Sequence, residues 1–278
     1  MNEQLFQASF KGDLETVREL LRGETDPNIV DKDNKTPLYL ASNEGHLEVV
    51  KELIHEGADP NIANKDDETP LYRASLFGYS KVVGELLTAG ADPNVVDKIG
   101  RTSLSRASSD GRLEIVRKLL LNGADPNIAN IANQPPLYWA SQNGHSEVVR
   151  ELLAVGADPN IITMHNRTPL IAASRNGHLE VVNKLLIAGA DPNLTNEFNR
   201  TPIYWASRDG HLDIVRKLLI AGANSNVTRD FRNTPLYWTS DDGQPELLED
   251  YFPPLVHLSL RSTIKFRIDT SSISHLLN

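Results

Sequence analysis

"TPLYLASNEGHLEVVKELIHEGADPN", residues 36–61, carries the start and stop signals of two short helices. Thr36 suits an N-cap, because its hydroxyl accepts from an early helical N–H. Pro37 suits the first helical position, where no N–H is needed. Leu38, Ala41 and Ser42 share one face at i, i+3, i+4 spacing. Gly45 ends the first helix, since glycine reaches the left-handed conformation that turns the chain back. "HLEVVKELIHEG" (46–57) then reads as a second helix, with Leu47, Val50, Leu53 and Ile54 as its buried stripe and Gly57 as its stop. "ADPN" makes a turn, and a polar stretch over 62–68 leads to the next Thr-Pro.

The same plan returns along the chain. The motif starts at Thr36, Thr69, Thr102, Pro135, Thr168, Thr201 and Thr234, always 33 residues apart. One step back from Thr36 lies "EQLFQAS" (3–9), which keeps the leucine and the Ala-Ser. A fixed period of this length is the signature of a solenoid, because one helix pair cannot bury its apolar face without a neighbour. The expected domain is therefore a single array over residues 1–252, a partial first repeat followed by seven full ones. Residues 253–278 form a non-repeat tail.

"DKDNKTPLYLASNEGHLEVVKELIHEGADPNIA" (31–63) resembles an ankyrin repeat, and the resemblance extends from residue 1 to about residue 252. It implies an all-α repeat solenoid of helix–turn–helix units with β-turn fingers, stacked into a curved array. The concave side, made of fingers and first helices, is then the binding surface. One departure is systematic. Where the family has "TPLH", most copies here read "TPLY", at Tyr39, Tyr72, Tyr138, Tyr204 and Tyr237, so the contacts made by that histidine must differ.

Composition narrows the function. The 28 basic residues against 37 acidic ones leave a net charge of −9, which disfavours nucleic acid and anionic membrane as partners. There is no cysteine, so disulfides, thiol nucleophiles and zinc–cysteine sites are excluded. The N-terminus lacks the basic start and apolar core of a secretory signal. A cytoplasmic monomer is expected, with the nucleus left open.

Candidate chemistry reduces to structure. His46, His145, His178 and His211 share one position at the start of the second helix. Packed helices lie about 8–10 Å apart, whereas zinc needs its nitrogen ligands at about 2.0–2.1 Å, so these histidines do not converge on one ion. Asp59, Asp92, Asp125, Asp158 and Asp191 each precede Pro-Asn, which is turn chemistry, and the repeat keeps them apart. No phosphate loop, zinc-protease or nucleophile-elbow motif is present. The expectation is a non-enzyme with no cofactor, metal or catalytic residue.

Function should then sit where the copies differ. The residue two after Leu38 lies about 200° away around the first helix, which places it off the core. Its column reads Gln7, Leu40, Arg73, Arg106, Trp139, Ala172, Trp205, Trp238 and contains every tryptophan of the chain. These tryptophans are expected either to face the groove as binding anchors or to lie flat on neighbouring first helices and stiffen the array. The finger tips change from charged to aromatic, through Asp33, Asp66, Ile99, Ala132, His165, Phe198 and Phe231. Phe198, Phe231, Trp205 and Trp238 thus belong to adjacent repeats, and Trp and Arg side chains dominate interface energetics. Arg167, Arg175, Arg200 and Arg208 border this patch and suit acidic groups on a ligand. Ala172, between two tryptophans of the column, leaves a notch for a side chain. Leu76 and Phe77 occupy first-helix positions that are polar in other copies, and mark a second candidate contact.

The tail, "PPLVHLSLRSTIKFRIDTSSISHLLN" (253–278), supports two readings. "PPLVHLS" and "LRSTIK" resemble the opening of a suppressor-of-cytokine-signalling box, which implies recruitment of elongins B and C and a role as substrate receptor in a ubiquitin ligase. Ser259 stands where that box has cysteine, a residue is inserted near Leu260, and the proline-rich second half is missing. The alternation of Val256, Leu258 and Leu260, and of Ile264, Phe266 and Ile268, instead reads as two short strands in a capping extension.

Overall fold

The computed structural model describes residues 2–224. Among them, fourteen helices form seven pairs. The first helices are α1 (Asn2–Lys11), α3 (Pro37–Glu44), α5 (Pro70–Phe77), α7 (Ser103–Ser109), α9 (Pro136–Gln142), α11 (Pro169–Arg175) and α13 (Pro202–Arg208). The second helices are α2 (Leu14–Arg22), α4 (Leu47–His55), α6 (Ser80–Thr88), α8 (Leu113–Leu121), α10 (Ser146–Ala154), α12 (Leu179–Ile187) and α14 (Leu212–Ile220). Each first helix packs on the first helices before and after it, and the second helices do the same, giving two layers. The all-α solenoid expected from the 33-residue period is the fold observed. No described helix is long and apolar enough to cross a membrane.

Local chemistry sets the element boundaries. The Thr36 hydroxyl accepts from the Tyr39 N–H at 3.0 Å, and Thr69, Thr102, Thr168 and Thr201 cap their helices likewise. Pro135 has no hydroxyl, and α9 starts without a side-chain cap. Gly45 closes α3 at φ +79°. At Gly144 the glycine serves twice. Its φ is +79°, and a Cβ there would meet His178 Nδ1 of the next repeat at 2.7 Å.

The core is one continuous cluster running from Leu5 to Ala223. Leu38, Leu71, Leu104, Leu137, Leu170 and Ile203 supply one fully buried side chain per repeat, each worth roughly 1.5–3 kcal/mol on leaving water. In the second helices the buried stripe is Val49, Val50 and Leu53. Leu47 and Ile54, expected in that stripe, are only partly buried, because they lie at its two edges. The buried hydroxyls of Ser9, Ser42, Ser75, Ser108, Ser141, Ser174 and Ser207 have no hydrogen-bond partner, and nothing in the structure explains why each copy keeps one.

Three polar ladders join the copies. The asparagine of each Asp-Pro-Asn turn reaches into the next repeat: Asn28 Nδ2 donates to the Gly57 carbonyl at 3.1 Å and Asn28 Oδ1 accepts from the Asp59 N–H at 2.7 Å. Asn61, Asn94, Asn127 and Asn160 repeat both bonds. His46, His145, His178 and His211 place Nε2 at 3.0–3.2 Å from a carbonyl of the preceding repeat. A carbonyl only accepts, so each ring carries its proton on Nε2. The fingers form the third ladder, with Lys65, Lys98, Ile131 and Met164 donating their N–H to Asp33, Asp66, Ile99 and Ala132. Among the described residues this ladder stops there. The next two fingers meet instead through His165 Nδ1 and Glu197 Oε1, 3.6 Å apart.

Candidate partner-binding surface

The first helices and the fingers before them form one face, and charge is arranged differently along it. The residue preceding each Thr-Pro reads Lys35, Glu68, Arg101, Gln134, Arg167, Arg200, and the residue four earlier reads Asp31, Asn64, Asp97, Asn130, Thr163, Asn196. In the N-terminal part these positions are compensated. Arg101 meets Asp97 at 2.6 and 2.7 Å, and Glu68 meets Arg73 at 3.4 Å. Asn130 and Gln134 form a neutral pair at 3.0 Å. Further on, Thr163 Oγ1 and Asn196 Oδ1 still accept the backbone N–H of Arg167 and Arg200 at 3.1 and 3.0 Å. They bring no negative charge, so neither guanidinium has a carboxylate partner among the described residues.

Trp205 lies at the centre of this uncompensated region. Three guanidinium groups stack around its ring, Arg208 at 4.3 Å, Arg175 at 4.6 Å and Arg200 at 5.4 Å from the ring centroid. Only Arg208 also has an acid, Asp209, at 2.7 and 3.0 Å. Tyr204 meets the indole edge-on at 5.4 Å, and Ile171 of α11 completes the packing. The indole N–H is buried without an acceptor among the described residues.

Beside it is a cleft of about 260 Å³ spanning three repeats. Ala172 and Ile171 line it from α11, Tyr138 and Gln142 from α9, and Trp205 from α13, with Arg167, Arg175 and Asn176 also on its walls.

The residues singled out from sequence divide accordingly. Ala172, Trp205, Arg167 and Arg175 come together at the cleft, and Arg200 and Arg208 cover the Trp205 ring. Phe198 is 63% exposed at its finger tip, with Arg200 stacked on it at 5.4 Å. His165 is exposed on the preceding finger. Trp139 is half-buried against Tyr138 and does not line the cleft. Phe231, Trp238 and the tail lie outside the described residues.

Of the two arrangements expected for the tryptophans, Trp205 takes the packed one, being only 5% exposed; Ala172 in the same column is also buried, and Trp139 is half-buried. First helices pack flank to flank, so a side chain at this position lies against the neighbouring helix. Arg73, in the same column, shows how: its Nε donates to Asn43 Oδ1 of α3 at 2.7 Å. Trp205 therefore acts as a packed platform whose cover of arginines faces outward.

The substitution of tyrosine for the family histidine is also resolved. Tyr39 donates its hydroxyl to Glu68 Oε2 at 3.2 Å and accepts from Asn64 Nδ2 at 3.0 Å. This links a first helix to the next finger. Burial pushes the equivalent Tyr72 phenol up to about 12.

Sequence reasoning missed an apolar row on the second helices. Leu121, Ile187 and Ile220 are 82–88% exposed at the ends of α8, α12 and α14. The signal was present in the column His55, Thr88, Leu121, Ala154, Ile187, Ile220, which turns from polar to aliphatic. Phe77 is exposed beneath Arg73, whose guanidinium lies 5.0 Å from the ring. No group of three or more metal-ligating side chains converges among the described residues.

Comparison with known proteins agrees with this architecture. Residues 5–97, 104–196 and 173–249 match the family model described as ankyrin repeats. The crystal structure of the human ASB11 ankyrin repeat domain is similar, with a TM-score of 0.69 and 25% sequence identity over 79% of this chain and 98% of that one. No curated protein matches the chain.

Proposed function

Because this chain belongs to the ankyrin-repeat family, we propose that it is a non-catalytic binding module that holds a protein or peptide on its finger-side face. The observation that carries this reading is the cleft over Ala172, where a buried indole meets arginines without carboxylate partners among the described residues. A surface already ordered before association loses little entropy on binding, so modest contacts suffice. The net negative charge of the molecule favours a protein partner over nucleic acid or membrane.

The test compares partners captured by the full chain, by Ala172→Leu, which fills the cleft from its floor, and by Leu121→Asp/Ile187→Asp. Partners lost only with Ala172→Leu support the finger-side face. Partners lost only with the aspartate pair move the binding surface to the second helices and overturn the proposal. Thermal melts of each variant show whether the fold is kept.

A second reading makes the protein a substrate receptor, with the tail recruiting elongins B and C. It rests on the "PPLVHLS" and "LRSTIK" stretches, which lie outside the described residues. Purified elongins B and C binding the full chain but not a chain ending at Phe252 would support it. Equal binding, or none, would remove it.

A further inference from the structure

The cleft over Ala172 is a cationic site in a protein of net charge −9. Three guanidinium groups lie over its Trp205 wall, and of these only Arg208 meets a carboxylate among the described residues. Guanidinium groups only donate, and the buried indole N–H has no acceptor among the described residues. Arg167 and Arg175 are on the walls, neither meets a carboxylate among the described residues, and Arg200 adds a third such charge over the ring. The indole face attracts cations, but such a contact is weak where solvent reaches it. It does not replace a carboxylate, which an arginine fork binds through two parallel hydrogen bonds.

The neighbouring repeats show what is missing. Asp97 accepts the N–H of Ile99 and Arg101 through Oδ1 while its second oxygen takes the Arg101 guanidinium. Asn196 accepts the N–H of Phe198 and Arg200 through the same atom, at 2.9 and 3.0 Å, and lacks only the charge. The turn is thus kept while the internal acid is left out.

Building on the proposed finger-side binding, we infer that the cleft takes an acidic side chain, Asp or Glu, from an extended peptide segment of the partner. Its carboxylate sits between Arg167 and Arg175, and its aliphatic stem lies over Ala172 and Ile171. The carboxylate supplied in cis by Asp97 to Arg101 is here supplied by the ligand. A long polyanion is disfavoured by the net charge of −9 of the chain as a whole.

The experiment selects displayed random dodecapeptides on the full chain and measures the selected sequences as fluorescein-labelled peptides by anisotropy. Selected peptides should share an Asp or Glu whose change to Asn or Gln weakens binding about tenfold, the loss expected for one charge-assisted contact. Arg167→Gln/Arg175→Gln should cost a similar factor, and the two losses should not add. Thr163→Asp/Asn196→Asp keeps every arginine and the indole, restores the internal acids, and should also weaken these peptides several-fold. Melting temperatures separate these effects from unfolding.

Peptides that are lost in Ala172→Leu but carry no acid, and tolerate Thr163→Asp/Asn196→Asp, would overturn the acidic ligand while leaving finger-side binding in place. Selected peptides insensitive to Ala172→Leu, or no selected peptides at all, would overturn both. Single-stranded DNA bound with the same arginine dependence would replace the peptide by a nucleic acid.

Discussion

The fingers before α7 and α13 share one backbone and differ in charge. Asp97 and Asn196 make the same two backbone bonds, yet Arg101 is tied down by a carboxylate and Arg200 rests on aromatic rings. Scaffold and surface are therefore separable here. The side-chain oxygen that shapes the finger is needed in every copy, while the second atom of that group is free to decide whether the next arginine is used internally or offered to a ligand.

The largest effect should come from the platform of the uncompensated region. Trp205→Ala removes a buried indole and is expected to cost about 3–5 kcal/mol, as for other large-to-small core changes. Trp139→Ala, at a half-buried position, should cost less than half of that. Urea denaturation of both variants checks the contrast, and equal losses would mean that the two tryptophans play the same role. A smaller effect is expected on the compensated side. Asp97→Asn keeps the backbone bonds but leaves Arg101 without its acid, and should cost about 1–3 kcal/mol. Its mirror, Asn196→Asp, should be neutral or gain up to about 1 kcal/mol. A loss at Asn196→Asp as large as that at Asp97→Asn would break the comparison. A further small gain is expected between the two regions. Pro135→Thr supplies the missing hydroxyl cap of α9 and should add about 1 kcal/mol, read as a rise in melting temperature.

The repeat itself was legible because its signals are local. A threonine cap, a proline at the first helical position, a left-handed glycine and a 33-residue period need no knowledge of the neighbour. The position of a side chain between copies was less legible. An angle around one helix placed the tryptophan column off its own core, but burial of Trp205 depends on α11 alongside, on which Ile171 and Arg175 sit. The exposed row of Leu121, Ile187 and Ile220 escaped for the opposite reason. Apolar residues at a helix end suggest burial, and only the geometry of the stack leaves them in water.

The asparagine of each Asp-Pro-Asn turn clasps its successor, not its own repeat. Asn28 holds Gly57 and Asp59, and Asn160 holds Gly189 and Asp191, by the same pair of bonds. Among the described residues this part of each junction is thus made with the same fitting. A 33-residue block deleted from the interior brings the next matching glycine and aspartate to the same asparagine, and a duplicated block finds its own. The length of this molecule is therefore an adjustable quantity: copies can be gained or lost without a new junction being invented.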